Sequence, residues 1–145
     1  GMGTTMVSAV ALGDEVYVLN VGDSRAYRIT KRKLVQITRD HSLVQDMVDR
    51  GEISAEEART HPRRNVITRA LGVDENVPCD IFKPRLSRGD MLLLCSDGLT
   101  NMLEDREIFE LSKHNPDPLS LGRALMAEAL ERGATDNVTV VIISK

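Results

Sequence analysis

The sequence predicts an α+β domain in which helices pack on antiparallel β-sheet. Apolar and polar residues alternate through the first third of the chain, and short turn signals such as Gly22-Asp23 interrupt the alternation, which is typical of a strand meander. Helical periodicity replaces this pattern in residues 43–57 and 104–132. Met91–Cys95 is apolar at every position, which indicates a strand covered on both faces.

The N-terminal strands are recognised by β-branched, aromatic and aliphatic residues that lie between short turns. They are predicted over residues 5–12, 15–21, 24–29 and 34–37. Gly13-Asp14 supplies the first turn, and the basic residues 31–33 turn the chain into the fourth strand.

A small helical insertion is predicted after the meander. Ser42 precedes four apolar residues that fall on one helical face, so it is a natural N-cap. Ser54 and Glu57 have the spacing of a capping box for a second short helix. Residues from about 43 to 64 contain few large apolar side chains, so we expect an insertion that is loosely attached to the sheet.

The C-terminal half alternates between the two patterns. Strands are predicted over residues 79–86, 91–95 and 137–144, and helices over residues 104–114 and 118–132. In the second helix, Leu121, Leu125 and Ala129 form one apolar stripe that should face the sheet. Since no repeat or long linker divides the chain, residues 1–145 are predicted to form a single domain.

The composition argues against several classes of protein. The 145 residues carry a formal charge of −3, and two Tyr and two Phe are the only aromatic residues. Such a chain lacks the charge and the stacking side chains of a nucleic-acid binder, and no apolar run is long enough to span a membrane. Cys79 and Cys95 lack the spacing of a zinc or redox motif, which favours free thiols and a cytoplasmic location.

Three aspartates lie where predicted strands begin or end, namely Asp23, Asp97 and Asp136. A carboxylate beside a core strand is unfavourable unless it is paired, hydrogen-bonded or bound to a cation. Carboxylate oxygens suit hard cations such as Mg²⁺ and Mn²⁺. A lone Asp97-Gly98 pair is also ordinary turn chemistry, so the residues by themselves leave a metal site and a simple turn as alternatives.

Five short motifs occur in one order along the chain. They are VGDSR at 21–25, TRDHS at 38–42, NVITRALG at 65–72, LCSDGL at 94–99 and ATDNVT at 134–139. This set resembles the metal-dependent serine/threonine protein phosphatases of the PPM, or type 2C, family in its bacterial form. Each motif alone is weak, but five in order at family-like spacing, from end to end of the chain, are specific.

The resemblance implies a β-sandwich flanked by helices that holds a binuclear Mn²⁺ or Mg²⁺ centre. Asp97 and Asp136 would be ligands of that centre, and Asp23 would hold a third metal ion together with Asp97. No catalytic residue beyond the metal ligands and no further cofactor is implied. Residues 43–64 would form a flap near the substrate entrance. The implied substrate is a phosphoprotein, with a serine/threonine kinase as partner in signalling.

The resemblance is incomplete at the N-terminus. The family's phosphate-binding arginine and its Asp-Gly-x-Gly-Gly element, which carries a bridging metal ligand and a nearby acid histidine, would both precede Gly1. We therefore expect the C-terminal part of a catalytic domain that lacks the N-terminal strands and helix, whether by truncation, proteolysis or a shortened gene. His41 is accordingly interpreted as structural, and Cys95 as an inert buried thiol.

Two functional interpretations follow from this incomplete match. The first is a phosphatase whose activity in this chain alone is weak or absent. The alternative is a non-catalytic, phosphatase-like binding or regulatory module. In either case the missing segment should leave strand edges open at residues 6–12 or 138–143, and we expect a homo-oligomer formed through them.

Overall fold

Residues 2–13 and 15–145 are described by the structure, a computed structural model. Gly1, the first residue of the predicted domain, and Asp14, in the first predicted turn, lie outside the described residues. The strands are β1 (Met6–Leu12), β2 (Glu15–Val21), β3 (Arg25–Ile29), β4 (Leu34–Gln36), β5 (Asp80–Phe82), β6 (Met91–Cys95) and β7 (Val140–Ser144). The helices are α1 (Leu43–Asp49), α2 (Ala55–Thr60), α3 (Asp97–Thr100), α4 (Asp105–His114) and α5 (Pro118–Glu131).

The strands form two antiparallel sheets. One has the order β1-β2-β5 and the other the order β4-β3-β6-β7. Val18 of the first sheet packs with Ala26, Leu92 and Leu94 of the second, and all four side chains are buried. The predicted α+β fold, a β-sandwich with helices, is confirmed.

The helices α3, α4 and α5 cover the other face of the four-stranded sheet. Leu121, Leu125 and Ala129 of α5 are fully buried in a cluster with Tyr27 and Leu93, as their helical spacing predicts. Asp117 caps this helix by accepting a hydrogen bond from the Ser120 backbone N–H. Because one sheet and one helical layer enclose it, β6 is buried at all five positions.

The insertion contains α1 and α2, and its local signals act as predicted. Ser42 accepts a hydrogen bond from the Gln45 N–H, and Ser54 and Glu57 form a reciprocal capping box. Burial is slight, because only Val44 is buried in α1 and no residue is buried in α2. The two helices are therefore stabilised by their own caps more than by the core.

Two strands are clearly shorter than predicted, and one helix was missed. Strand β5 spans three residues rather than residues 79–86, because Pro84 has no N–H to donate to a ladder. Strand β7 begins at Val140 rather than at residue 137, because residues 137–139 fold over the end of β6. There the Ser96 N–H donates to the Thr139 carbonyl at 3.1 Å. The short helix α3 was not predicted.

None of the helices in the described part of the chain has the length and apolar character needed to cross a membrane.

We expect the backbone amides of residues 43–64 to exchange with solvent faster than those of Met91–Cys95. Local opening of α1 and α2 exposes little apolar surface, whereas opening β6 disrupts both layers of the core. Hydrogen–deuterium exchange measured by mass spectrometry tests this. Helix α5 is the matched control, since it is also helical but buries three side chains, and it should exchange slowly. Equal protection of α2 and α5 would contradict a loosely attached insertion.

Candidate metal centre

The three predicted aspartates lie at one edge of the four-stranded sheet. In the strand register Arg25 pairs with Cys95, and Cys95 pairs with Val140. The start of β3, the end of β6 and the start of β7 are therefore neighbours. Asp23 precedes β3, Asp97 follows β6 and Asp136 precedes β7, so all three approach the same edge.

Asp23 and Asp97 border the same space. Asp23 is half-buried, and burial, together with the negative charge of Asp97, raises the pKa of its carboxyl group to about 6. Two carboxylates that repel each other in this way gain stability when a cation binds between them. The pair also lines one cavity of about 750 Å³.

Asp97 is held by the first turn of α3. Its Oδ2 accepts a hydrogen bond of 3.3 Å from the Asn101 side-chain amide one turn later. Gly98 follows it, and a Cβ at this position would lie only 2.4 Å from the Asn137 carbonyl oxygen. Glycine therefore allows the loop before β7 to close over α3.

Ser96 joins the same loop to the end of β6. Its hydroxyl donates to the Asn137 carbonyl at 3.0 Å and accepts from the Thr139 N–H at 3.0 Å. Asp136, the preceding residue, is exposed, and its Oδ1 accepts a hydrogen bond from the Asn137 N–H at 2.7 Å. It lies at the predicted edge but is not among the residues that line the cavity of Asp23 and Asp97.

The donor set at this edge suits a hard cation. Within residues 2–13 and 15–145, no group of three or more His, Cys, Asp or Glu side chains lies close enough to hold a metal ion. The pair Asp23 and Asp97 nevertheless has the oxygen-only chemistry of a Mg²⁺ or Mn²⁺ site, since Mg²⁺ is commonly held by one or two carboxylates and several waters. The pair fits the predicted metal, and a ligand role for Asp136 stays a prediction.

The cavity connects this pair of carboxylates to the insertion. Its lining includes Val44 and Val48 from α1, Arg59 from α2, Thr100 from α3 and Arg106 from α4. A volume of about 750 Å³ lies within the range of ligand-binding pockets. The predicted flap residues thus border the same space as Asp23 and Asp97.

An ion pair beside the carboxylates was not identified from the sequence. Arg25 donates from Nη2 to Asp40 Oδ2 at 2.7 Å and from Nε to both Asp40 oxygens at 3.0 Å. Gln36 donates to the same carboxylate. Arg25 also lines the cavity, but Asp40 already neutralises its charge. The available signal was the presence of opposite charges in the VGDSR and TRDHS motifs.

His41 and Cys95, which were also considered from the sequence, are both buried. His41 is 1% exposed and both of its ring nitrogens are hydrogen-bonded, to the Gly22 N–H and to Asp80. Cys95 is buried, and burial raises the pKa of its thiol to about 12, which suppresses the nucleophilic thiolate. Neither side chain is available as a nucleophile or base in the cavity.

Comparison with known proteins gives the same family throughout. Residues 1–131 match the protein phosphatase 2C family. The chain is 43% identical over 145 residues to the serine/threonine phosphatase stp of Listeria monocytogenes. This match covers 100% of the chain and 58% of the Listeria protein. The chain therefore spans little more than half the length of this relative.

Two solved structures are also similar. The crystal structure of the serine/threonine phosphatase Stp1 from Staphylococcus aureus matches with a TM-score of 0.95 and 46% identity, over 100% of this chain and 57% of that one. The catalytic domain of the serine/threonine protein phosphatase PstP, solved with two manganese ions, matches with a TM-score of 0.83 and 37% identity. That match covers 98% of this chain and 58% of the other.

We expect Gly98→Ala to destabilise the protein by about 1–3 kcal/mol, since the added Cβ meets backbone atoms of Asn137 and must displace the loop that carries Asp136. Urea denaturation measures the free energy of unfolding. Gly122→Ala in α5 is the matched control, because a Cβ there meets only Ile142 Cδ1 at 3.8 Å. That substitution should stabilise the helix by up to about 1 kcal/mol. Equal effects of the two variants would contradict the close approach at Gly98.

Proposed function

We propose that this protein, which belongs to the protein phosphatase 2C family, hydrolyses phosphoserine and phosphothreonine in proteins by a metal-dependent reaction. The observation that carries the proposal is the pair Asp23 and Asp97, which line a substrate-sized cavity together with the insertion. Since the chain spans 58% of the Listeria relative, we further propose that this chain alone is weakly active or inactive.

Asp23 and Asp97 would hold Mn²⁺ or Mg²⁺, and Asp136 would contribute from the loop beside them. A divalent cation bound there supplies a water of lowered pKa and stabilises negative charge on phosphoryl oxygens. Two cations, as in the PstP structure, are part of the proposal, and so is a third held by Asp23 and Asp97.

The residues around the pair have supporting tasks. Asn101 orients the Asp97 carboxylate through its side-chain amide. Asp40 holds the Arg25 guanidinium at the wall of the cavity. Helices α1 and α2 border the opening, so the peptide on either side of the phosphorylated residue would contact the flap.

A second candidate is a non-catalytic, phosphatase-like module that binds a partner or a metal ion weakly. The absence of a three-ligand group among the described residues favours it. The two functions differ in turnover, since a binding module retains affinity for metal without hydrolysis.

We propose that the protein acts in the cytoplasm as part of a phosphorylation signalling system. A phosphoprotein substrate and an opposing serine/threonine kinase fit the family. Cys79 and Cys95 are free thiols, which supports a cytoplasmic, reducing location.

We expect this chain to hydrolyse p-nitrophenyl phosphate in Mn²⁺ at a rate near background. Two carboxylates hold a metal weakly, and the Arg25 charge is already paired with Asp40. Mn²⁺ binding, measured by titration calorimetry, should nevertheless be detectable and should be lost in Asp97→Asn.

The matched control is Glu131→Gln, which removes the same charge from an exposed position at the end of α5 and should leave Mn²⁺ binding unchanged. Strong Mn²⁺-dependent turnover that Asp97→Asn abolishes would refute the weak activity and reject the binding module. Unchanged Mn²⁺ binding in Asp97→Asn would refute the metal centre itself.

We also propose that the chain forms homo-oligomers through its outer strands. β1 and β7 lie at the ends of their sheets, with Val10, Leu12, Val141 and Ile143 all at least 43% exposed. Outer strands with apolar side chains readily pair with a strand of another chain. A second copy would bury this surface.

Light scattering across a dilution series should therefore give a mass above that of one chain. Val141→Lys should shift the mass toward the monomer, because a charge on an outer strand opposes pairing. Val73→Lys, at an exposed loop position, is the control and should have no effect. A mass of one chain at every micromolar concentration would reject the association.

A further inference from the structure

We infer that Asn20 and His41 are positioning residues that hold the Asp23 carboxylate in place by clamping the backbone N–H and carbonyl of Gly22. The inference rests on the proposed function, because it takes Asp23 as a metal ligand. It assigns a task to a buried polar cluster that the proposed chemistry does not use directly.

Gly22 is held from both sides of its backbone. Its N–H donates to His41 Nδ1 at 2.9 Å, and its carbonyl accepts from the His41 N–H at 2.9 Å and from Asn20 Nδ2 at 3.3 Å. Its φ of +110° lies in the region that favours glycine, and a Cβ here would lie 2.4 Å from Thr5 Cγ2. The turn that leads into Asp23 therefore has little freedom to move.

The hydrogen bonds also determine the tautomer of His41. Nδ1 accepts from a backbone N–H, so it carries no proton, and the proton of the neutral ring is on Nε2. Nε2 then donates to Asp80 Oδ2 at 3.0 Å. Asp80 in turn accepts from Arg69 Nη1 at 2.7 Å. A carboxylate thus orients the imidazole, as it commonly does for histidines that bind metals, but this imidazole acts on a peptide group.

Asn20 holds the same turn from inside the sandwich. It is 0% exposed, and its Nδ2 also donates to the Arg39 carbonyl at 3.1 Å. Both partners are carbonyl oxygens, so the side-chain amide has one satisfactory orientation. Its Oδ1 has no hydrogen-bond partner among the described residues. The amide N–H groups of this buried side chain therefore connect the Gly22 turn to the start of the TRDHS motif.

The clamp matters because Asp23 lies at the wall of the cavity that Asp97 also lines, where two like charges oppose each other unless a cation binds. A flexible turn would let the Asp23 carboxylate move toward water, and the pair would separate before a cation binds. A turn fixed at Gly22 keeps the Asp23 carboxylate at the wall of the cavity that Asp97 also lines, so less ordering is required when a metal binds.

Two substitutions at His41 separate its two hydrogen bonds. His41→Asn keeps an acceptor near Nδ1 for the Gly22 N–H, whereas His41→Gln keeps a donor near Nε2 for Asp80. If the acceptor positions Asp23, His41→Asn retains near wild-type Mn²⁺ affinity and His41→Gln weakens it about tenfold or more. Titration calorimetry on the folded chain measures the affinity, and thermal unfolding reports stability separately. A purely structural histidine would change stability without this difference in affinity.

Asp23→Asn distinguishes the inference from the function on which it rests. If Asp23→Asn binds Mn²⁺ as the wild type does, Asp23 is not a ligand and the proposed site itself fails. If Asp23→Asn weakens binding but the two His41 variants bind Mn²⁺ equally well, only the positioning inference is overturned.

A measurement on the unmodified chain covers the case in which a His41 variant does not fold. The nitrogen NMR spectrum of the His41 ring should show Nδ1 without a proton, and the Gly22 amide should exchange slowly. A proton on Nδ1, or a rapidly exchanging Gly22 amide, would overturn the clamp.

Discussion

Burial of β6 on both faces is the constraint on which the rest of the structure depends. All five of its residues are buried, and it is hydrogen-bonded to β3 on one side and β7 on the other. A shift of one residue in either register would turn its apolar side chains to the wrong layer. The same registers bring Asp23, Asp97 and Asp136 to one edge, so the location of the carboxylates is a consequence of the hydrophobic core.

Two carboxylates near this edge of the sheet are ion-paired with arginines. Arg25 is bonded to Asp40, and Arg69 is bonded to Asp80, so these carboxylates already have their cations. Among residues 2–13 and 15–145, Asp23 and Asp97 form no ion pair, and the charge of Asp97 helps to raise the pKa of Asp23. A cation bound between Asp23 and Asp97 would therefore relieve a repulsion that no ion pair compensates in the described part of the chain.

Local patterns predicted the elements that depend on local signals, and missed those that depend on distant contacts. The apolar run of β6, the stripe of α5 and the caps at Ser42 and Ser54 were all identifiable, and so was the β-sandwich, through its motifs. The end of β5 was missed despite a local signal, since the prediction ran to residue 86 although Pro84 has no N–H for a ladder. The hydrogen bond from the Gly22 N–H to His41 Nδ1 joins residues that are 19 apart in sequence. It forms only in the completed fold, so no local sequence pattern predicts it.

The self-sufficient caps of α1 and α2 have an evolutionary consequence. Because α2 buries no residue and α1 buries only Val44, most side chains of this segment are free of the packing constraints that restrict β6. Mutations there can accumulate at little cost in stability while they reshape one wall of the cavity. Descendants of one ancestral domain can therefore acquire different selectivities while their carboxylate-bearing edge stays unaltered.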